Sequence, residues 1–231
     1  MPSYRRNAIA VGLLFIACTA ASFLSAIATA GLLDAPDYLT SLAAHDSQVV
    51  LGALVEFVWA ITAAGIAIAL YPVLRKHNRA LALGSVAGRL VEGVFVLVGA
   101  LALLTLLTLS QETVAAGSAD PSSFQALGTA LLAARDWVHE FVMLLPWLVG
   151  ALMYYYLLFK ARLVPRWLSG WGLVGALLSL VATVYSGFTQ EFGFTSVNIA
   201  LNIPIAVQEM VLAVWLIVKG FNPSAVRSIA S

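Results

Sequence analysis

The chain has 231 residues, 61% of them hydrophobic and only 10% charged, with a mean hydropathy of +0.96. A soluble globular domain carries roughly 25% charged residues, so this composition excludes a protein solvated by water on all sides and points to lipid. A formal net charge of +1 removes any bulk electrostatic case for nucleic acid, and a single cysteine, Cys18, excludes an intrachain disulfide and a cysteine metal cluster.

A bilayer core of roughly 30 Å takes about 20 helical residues to cross. Six apolar segments are long enough: Ala8–Leu33, Gln48–Leu74, Leu81–Ser110, Phe124–Phe159, Leu168–Gln190 and Val197–Val218. Helices are the expected form, because an open strand in lipid leaves backbone groups unpaired. The predicted architecture is an all-α integral membrane protein, one six-helix bundle over residues 1–231.

The first segment follows Arg5-Arg6 and ends near Ala28-Thr29-Ala30, the layout of a secretory signal with its small-residue cleavage site. Its apolar run exceeds the about 7–15 residues of a signal core, so an uncleaved first helix is expected. The second segment carries Glu56 and has Pro72 near its end. The third opens on Gly84-x-x-x-Gly88, a small-residue packing face, and then holds Arg89 and Glu92, three apart and so on one helix face. The fourth contains Arg135-Asp136-Trp137-Val138-His139-Glu140 and Pro146, and ends on Tyr154-Tyr155-Tyr156. It is longer than a span requires, so its first turns are expected among the headgroups. Pro165 should start the fifth, where Gly172, Gly175 and Ala176 form another packing face. The sixth carries Asn198, Asn202, Pro204, Gln208 and Glu209. Pro146 and Pro204 are expected to kink their helices, chiefly as packing devices. Trp167, Trp171, Trp215 and the tyrosines mark interfaces.

The loops are asymmetric. Arg5, Arg6, Arg75, Lys76, Arg79, Lys160, Arg162, Arg166, Lys219 and Arg227 fall on one side. Asp34, Asp37, Asp46, Glu112, Asp120 and Glu191 fall on the other, with no lysine or arginine in those loops. Positive charge stays cytoplasmic, so both termini are predicted in the cytoplasm, as an even number of spans requires.

Counting depth from the basic loops separates the intramembrane polar residues into two tiers. Arg89 and Glu209 each lie about 15 Å inside a basic residue at about 1.5 Å per residue, with Glu92 one turn further in. A charge facing lipid is unfavourable by several kcal/mol, so these groups should face protein or a wet cavity. Arg89 is expected to pair with Glu209, joining the third and sixth helices, with Glu92 also within reach. Asn198, Asn202 and Glu209 follow i, i+4, i+11 spacing, one stripe of the sixth helix, from which Gln208 points away. The inner tier reads as a proton or ion relay or as a structural ion-pair network, the network being preferred. The outer tier holds Glu56, His139, Glu140 and Asn198, with Arg135, Asp136, His45 and Asp46 near the outer surface. On an α-helix Asp136, His139 and Glu140 share a face, and with Glu56 or His45 opposite they would suffice for a divalent metal. The alternative, a polar patch facing water, is preferred. No cofactor and no metal is assigned.

Leu70-Tyr71-Pro72-Val73-Leu74-Arg75-Lys76, Ala80-Leu81-Ala82-Leu83-Gly84 and Arg89-x-x-Glu92 resemble one bacterial family, as do Leu163-Val164-Pro165-Arg166-Trp167-Leu168-Ser169-Gly170-Trp171-Gly172 and Glu209-Met210 through Trp215-Leu216-Ile217-x-Lys219-Gly220-Phe221. It is the multi-pass group known as domain of unknown function four-three-eight-six. The resemblance covers nearly the whole chain. It implies a small bacterial inner-membrane protein with no assigned activity, and it supplies no catalytic residues.

Three function classes follow, in order of preference. The first is a membrane protein of unassigned activity with a buried ionic core. The second is a transporter of a small solute, ion or proton, lined by the asparagine stripe and Glu209. The third is an intramembrane lipid-modifying enzyme using Asp136, His139 and Glu140. Membrane lipid is the expected partner, with a small-molecule or ionic ligand allowed and nucleic acid excluded.

Overall fold

The computed structural model describes residues 2–117 and 121–227. Asp120 and the side chain of Arg227, both counted among the loop charges above, lie outside what it describes. The elements are α1 (Pro2–Leu33), α2 (Tyr38–Ala44), α3 (Asp46–Leu74), α4 (Arg79–Ala116), α5 (Pro121–Trp137), a π-helical turn (Val138–Val142), α6 (Leu144–Lys160), α7 (Arg166–Thr189), α8 (Ser196–Val218) and α9 (Pro223–Arg227). Among the described residues there is no strand. Six helices are long and apolar enough to cross a membrane: α1, α3, α4, the run from α5 through α6, α7 and α8. All six predicted segments are therefore present.

Chemistry at the ends sets several boundaries. The Asn78 side chain accepts from the Leu81 N–H at 3.0 Å and caps α4, and Thr195 accepts from the Asn198 N–H at 3.2 Å and caps α8. Pro165 stands one residue before α7 as its cap rather than inside its first turn. The Arg5 guanidinium donates to the last carbonyls of α8, Leu216 at 3.3 Å, Ile217 at 2.6 Å and Val218 at 3.3 Å. The two ends of the chain thus meet on the face that carries the basic loops.

Packing follows chain order around a closed ring: α1 against α3, α3 against α4, α4 against α6, α6 against α7, α7 against α8, and α8 back against α1. In such a ring α4 and α8 stand on opposite sides. The outside is apolar: Leu54 and Ile61 on α3, Leu101 on α4, Leu177 and Val181 on α7 and Val214 on α8 are all more than half exposed. The charged side chains Glu56, Arg89, Glu92 and Arg135 are buried instead. A chain that turns its aliphatic side chains out and its ions in is matched to hydrocarbon.

Two features differ from the sequence expectation. A short helix, α2, sits in the first acidic loop and buries Tyr38, Leu39 and Leu42 against the far end of α4, which runs past Ser110 to Ala116. The fourth span is not one α-helix, because a π turn interrupts it, closed by the Met143 N–H to the Val138 carbonyl at 2.9 Å. Pro146 follows immediately. It has no N–H for the Val142 carbonyl, and its ring crowds that carbonyl, so the ladder is weakest where the turn widens.

The predicted Gly84/Gly88 face does pack. A Cβ on Gly88 would lie 2.6 Å from the Pro146 carbonyl and 2.9 Å from the Gly150 backbone. A Cβ on Gly84 would meet only the flexible end of Met153. Gly88→Ala is therefore expected to destabilise the fold by about 1–3 kcal/mol, with a clearly lower unfolding midpoint in detergent. Gly84→Ala should unfold close to wild type.

Candidate functional site

The ring interior contains two ionic centres. The inner one is built on Arg89, which is 2% exposed. Its NH1 lies 3.0 Å from Glu92 Oε2, one turn along α4. Nε donates to the Ala63 carbonyl of α3 at 3.1 Å, and NH2 lies 3.7 Å from Cys18 Sγ of α1. Tyr154 of α6 and Glu209 of α8 complete the surroundings, within electrostatic reach of the guanidinium. The Tyr154 hydroxyl and Glu209 Oε1 are buried beside each other without a well-aligned hydrogen bond. The Arg89–Glu92 contact is an ion pair off the hydrogen-bond angle, so Glu92 Oε2 is also without a hydrogen bond.

The expected Arg89–Glu209 pair is not formed. Arg89 pairs with Glu92, its neighbour on the same helix, and no ion pair reaches Glu209 among the described residues. The reason is the ring: α4 and α8 are not neighbours in it, and Arg89 finds Glu92 one turn along its own helix. Phe15 of α1 meets Tyr154 edge-on at 6.2 Å between centroids, and Tyr154 tilts on Tyr155 at 4.5 Å.

The asparagine stripe is split. Ser179 Oγ donates to Asn202 Oδ1 at 2.5 Å and Ser186 Oγ to Asn198 Oδ1 at 2.9 Å. Asn198 Nδ2 donates to the Glu191 and Gly193 carbonyls at 3.2 and 3.0 Å. Asn198 and Asn202 therefore bind α8 to α7, a common use of amides between lipid-embedded helices. Gln208 does point away from Glu209: it accepts from the Tyr155 hydroxyl at 2.6 Å and donates to the Leu168 carbonyl at 3.0 Å.

The outer centre is built on Glu56 of α3, fully buried. Its Oε1 accepts from Ser25 Oγ of α1 at 3.0 Å and pairs with the Arg135 guanidinium of α5. Its Oε2 lies 3.7 Å from His139 Nε2. The His139 ring is held edge-on by Trp59 at 5.8 Å and fills the space that any side chain on residue 99 of α4 would need. Gly99 is there to admit that ring.

Asp136 and Glu140 do not join Glu56 and His139. Asp136 lies toward Asp34 in the first acidic loop, and Glu140 faces the Gly193 backbone N–H in the loop before α8. The π turn contains His139 and Glu140 and changes the α-helical angle between them, so His139 meets Glu56 while Glu140 stays within electrostatic reach of Asp136. His45 is exposed and bonds only to its own turn, Nδ1 to the Ser41 carbonyl at 2.9 Å. Among the described residues no group of three His, Cys, Asp or Glu side chains is placed to hold a metal ion. Arg135, placed near the surface by the sequence reading, is in fact 7% exposed and is the partner of Glu56. The signal was present: a lone arginine in an apolar segment needs a carboxylate at its own depth.

Both centres hold one direct guanidinium–carboxylate pair with further carboxyl groups within electrostatic reach: Asp136 and Glu140 around Arg135 outside, and Glu209 around Arg89 inside. Arg135→Ala strands a buried carboxylate and is expected to lower stability by about 3–5 kcal/mol, with part of the loss recovered in Arg135→Ala/Glu56→Gln. Thermal unfolding of the purified variants checks this, with Asp136→Asn expected near wild type.

A scan against protein-family models matches residues 10–220 to the family described as Domain of unknown function (DUF4386). No curated protein and no solved structure matches the chain. The matched span carries every residue of both ionic centres and covers nearly all of the sequence: the chain belongs to the DUF4386 family.

Proposed function

We propose that this protein is a proton-linked transporter of the bacterial inner membrane, with both termini in the cytoplasm and the inner centre as the place where the proton is held. The orientation rests on the loops: every basic loop residue lies on the face where Arg5 meets α8, and the acidic loops lie opposite. Transport is preferred here over a purely structural core because of one observation, the excess of carboxyl over guanidinium around Arg89.

In a medium of low dielectric, two ionised carboxyls beside one guanidinium leave an uncompensated charge, which is strongly unfavourable. One further positive charge restores neutrality, and a proton supplies it. Arg89 is tied to three helices through Ala63, Cys18 and its own α4. Glu209, by contrast, forms no ion pair among the described residues and lies beside the Tyr154 hydroxyl. Glu209 is therefore the carboxyl free to exchange its proton, while Arg89 and Glu92 form the fixed counter-charge. Movement of charge at Glu209 alters the attraction across the ring, between α8 and the α3–α4 side. The lipid-enzyme reading ranks lower, because Glu140 is turned to the Gly193 backbone while His139 is turned to Glu56.

Purified protein in vesicles with a trapped pH dye, under an imposed potassium diffusion potential, tests the reading. Wild type should pass protons, and Glu209→Gln should lose at least tenfold of that flux while unfolding at or above the wild-type midpoint. A flux equal to that of empty vesicles, or one unchanged in Glu209→Gln, would return the inner centre to a structural role.

A further inference from the structure

A second polar site lies on the basic face, away from both ionic centres. After α3 the chain turns back on itself, with the His77 and Asn78 N–H groups donating to the Leu74 carbonyl at 3.0 and 3.2 Å. This places His77 and Asn78 over the last turn of α6. Between them is a cavity of about 230 Å³ lined by His77, Asn78, Tyr156, Leu157, Lys160 and Ala161.

Its donors are unspent. His77 Nε2 is buried without a hydrogen-bond partner. The Asn78 Oδ1 is committed to capping α4, which leaves its Nδ2 protons to donate elsewhere. The Lys160 ammonium stands 5.7 Å from the centre of the Tyr156 ring and makes no ion pair among the described residues. No acidic residue occurs in Arg75–Arg79 or in Lys160–Arg166, whereas six cationic ones do: Arg75, Lys76, Arg79, Lys160, Arg162 and Arg166. The positive end of the α4 backbone dipole adds the same sign. Hydrogen-bond donors, positive charge and an absence of acceptors in one small cavity describe an anion site.

We infer that this cavity binds a phosphate group, held by His77, Asn78 and Lys160. The depth fits a headgroup, because Tyr156 and Lys160 end a membrane span and the tyrosine is 42% exposed. The same donors suit free phosphate. Burial pushes the His77 pKa below the usual histidine range, so its ring is neutral near pH 7 and offers one N–H. An anion in the cavity favours the protonated ring. The charged residues around His77 are Lys160 from α6 and Arg75, Lys76 and Arg79 from its own loop and the start of α4, all cationic, while burial alone sets the direction of its shift.

Three probes decide the matter on the purified protein in neutral detergent: inorganic phosphate, short-chain phosphatidylglycerol, and a diacylglycerol of the same chain length without phosphate. Binding is read by native mass spectrometry for the lipids and by the His77 imidazole resonances, assigned by their loss in His77→Gln, for all three. The expected result is that a phosphate-bearing probe binds, raises the pKa of His77, and binds at least tenfold more weakly to Lys160→Met. Saturation by inorganic phosphate alone identifies the free anion as the source, and binding of phosphatidylglycerol only identifies the lipid headgroup. Lys160→Arg, which keeps the charge, should retain binding and guards against misfolding of the methionine variant. Equal binding of diacylglycerol and phosphatidylglycerol, or a His77 titration unmoved by either phosphate probe, overturns the proposal.

Discussion

Burying one guanidinium at the centre of a lipid-embedded ring is the constraint from which the rest of this structure follows. An arginine facing hydrocarbon is unfavourable by estimates that run from about 2.5 to over 10 kcal/mol. Arg89 avoids that only because several helices bring it acceptors at once: a carboxylate from its own helix, a backbone carbonyl from α3 and a thiol from α1. These acceptors fix how α1, α3 and α4 face one another. Gly88, one residue before Arg89, lets α6 approach α4 to backbone contact and bring Tyr154 inward. The small residue and the charge are two halves of one device, because a bulkier neighbour would push away the helix that closes the site.

The outer centre solves the same problem with different parts. Glu56 is the buried charge and Arg135 is delivered to it by the amphipathic run of α5, far away in the chain. The π turn that follows aims His139 into the slot left by Gly99 and turns Glu140 toward another loop. A widened turn of this kind is a common way of re-aiming side chains within a helix, and here it sits directly before a proline that weakens the regular ladder. The consequence is an outer centre whose buried carboxylate, Glu56, is paired directly with a guanidinium, and an inner one in which Glu209 forms no ion pair. That contrast, rather than any motif, separates a structural centre from a candidate working one.

The two faces of the protein are also built from opposite materials. The acidic face is roofed by α2 and the long end of α4, joined where Ser110 donates to the Leu39 carbonyl. The basic face is held by backbone-directed contacts, Arg5 on the end of α8 and the Asn222 N–H on the Leu163 carbonyl at 2.8 Å. On that face Lys160, one of the residues that make the loops asymmetric, also lines the His77 cavity.

The sequence by itself determined what depends on local composition: six spans, their approximate ends, the same-side termini, the Gly84/Gly88 face, the shared face of Arg89 and Glu92 and the outward turn of Gln208. These follow from segment length, helical periodicity and the cost of charge in lipid, all of which are properties of neighbouring residues. What only the tertiary structure decided was which distant groups meet. Depth along a helix places Arg89 and Glu209 at one level, but level says nothing about azimuth around a ring, and the ring does not make α4 and α8 neighbours. Helical phase places Asp136, His139 and Glu140 together, but the π turn changes the phase at that point. The Asn198 and Asn202 amides were correctly placed on one stripe, and it is the serines of α7 that make that stripe a seam. Pairing across a bundle is fixed by helix order and rotation, and these are settled by packing summed over the whole interior, which no local stretch of sequence contains.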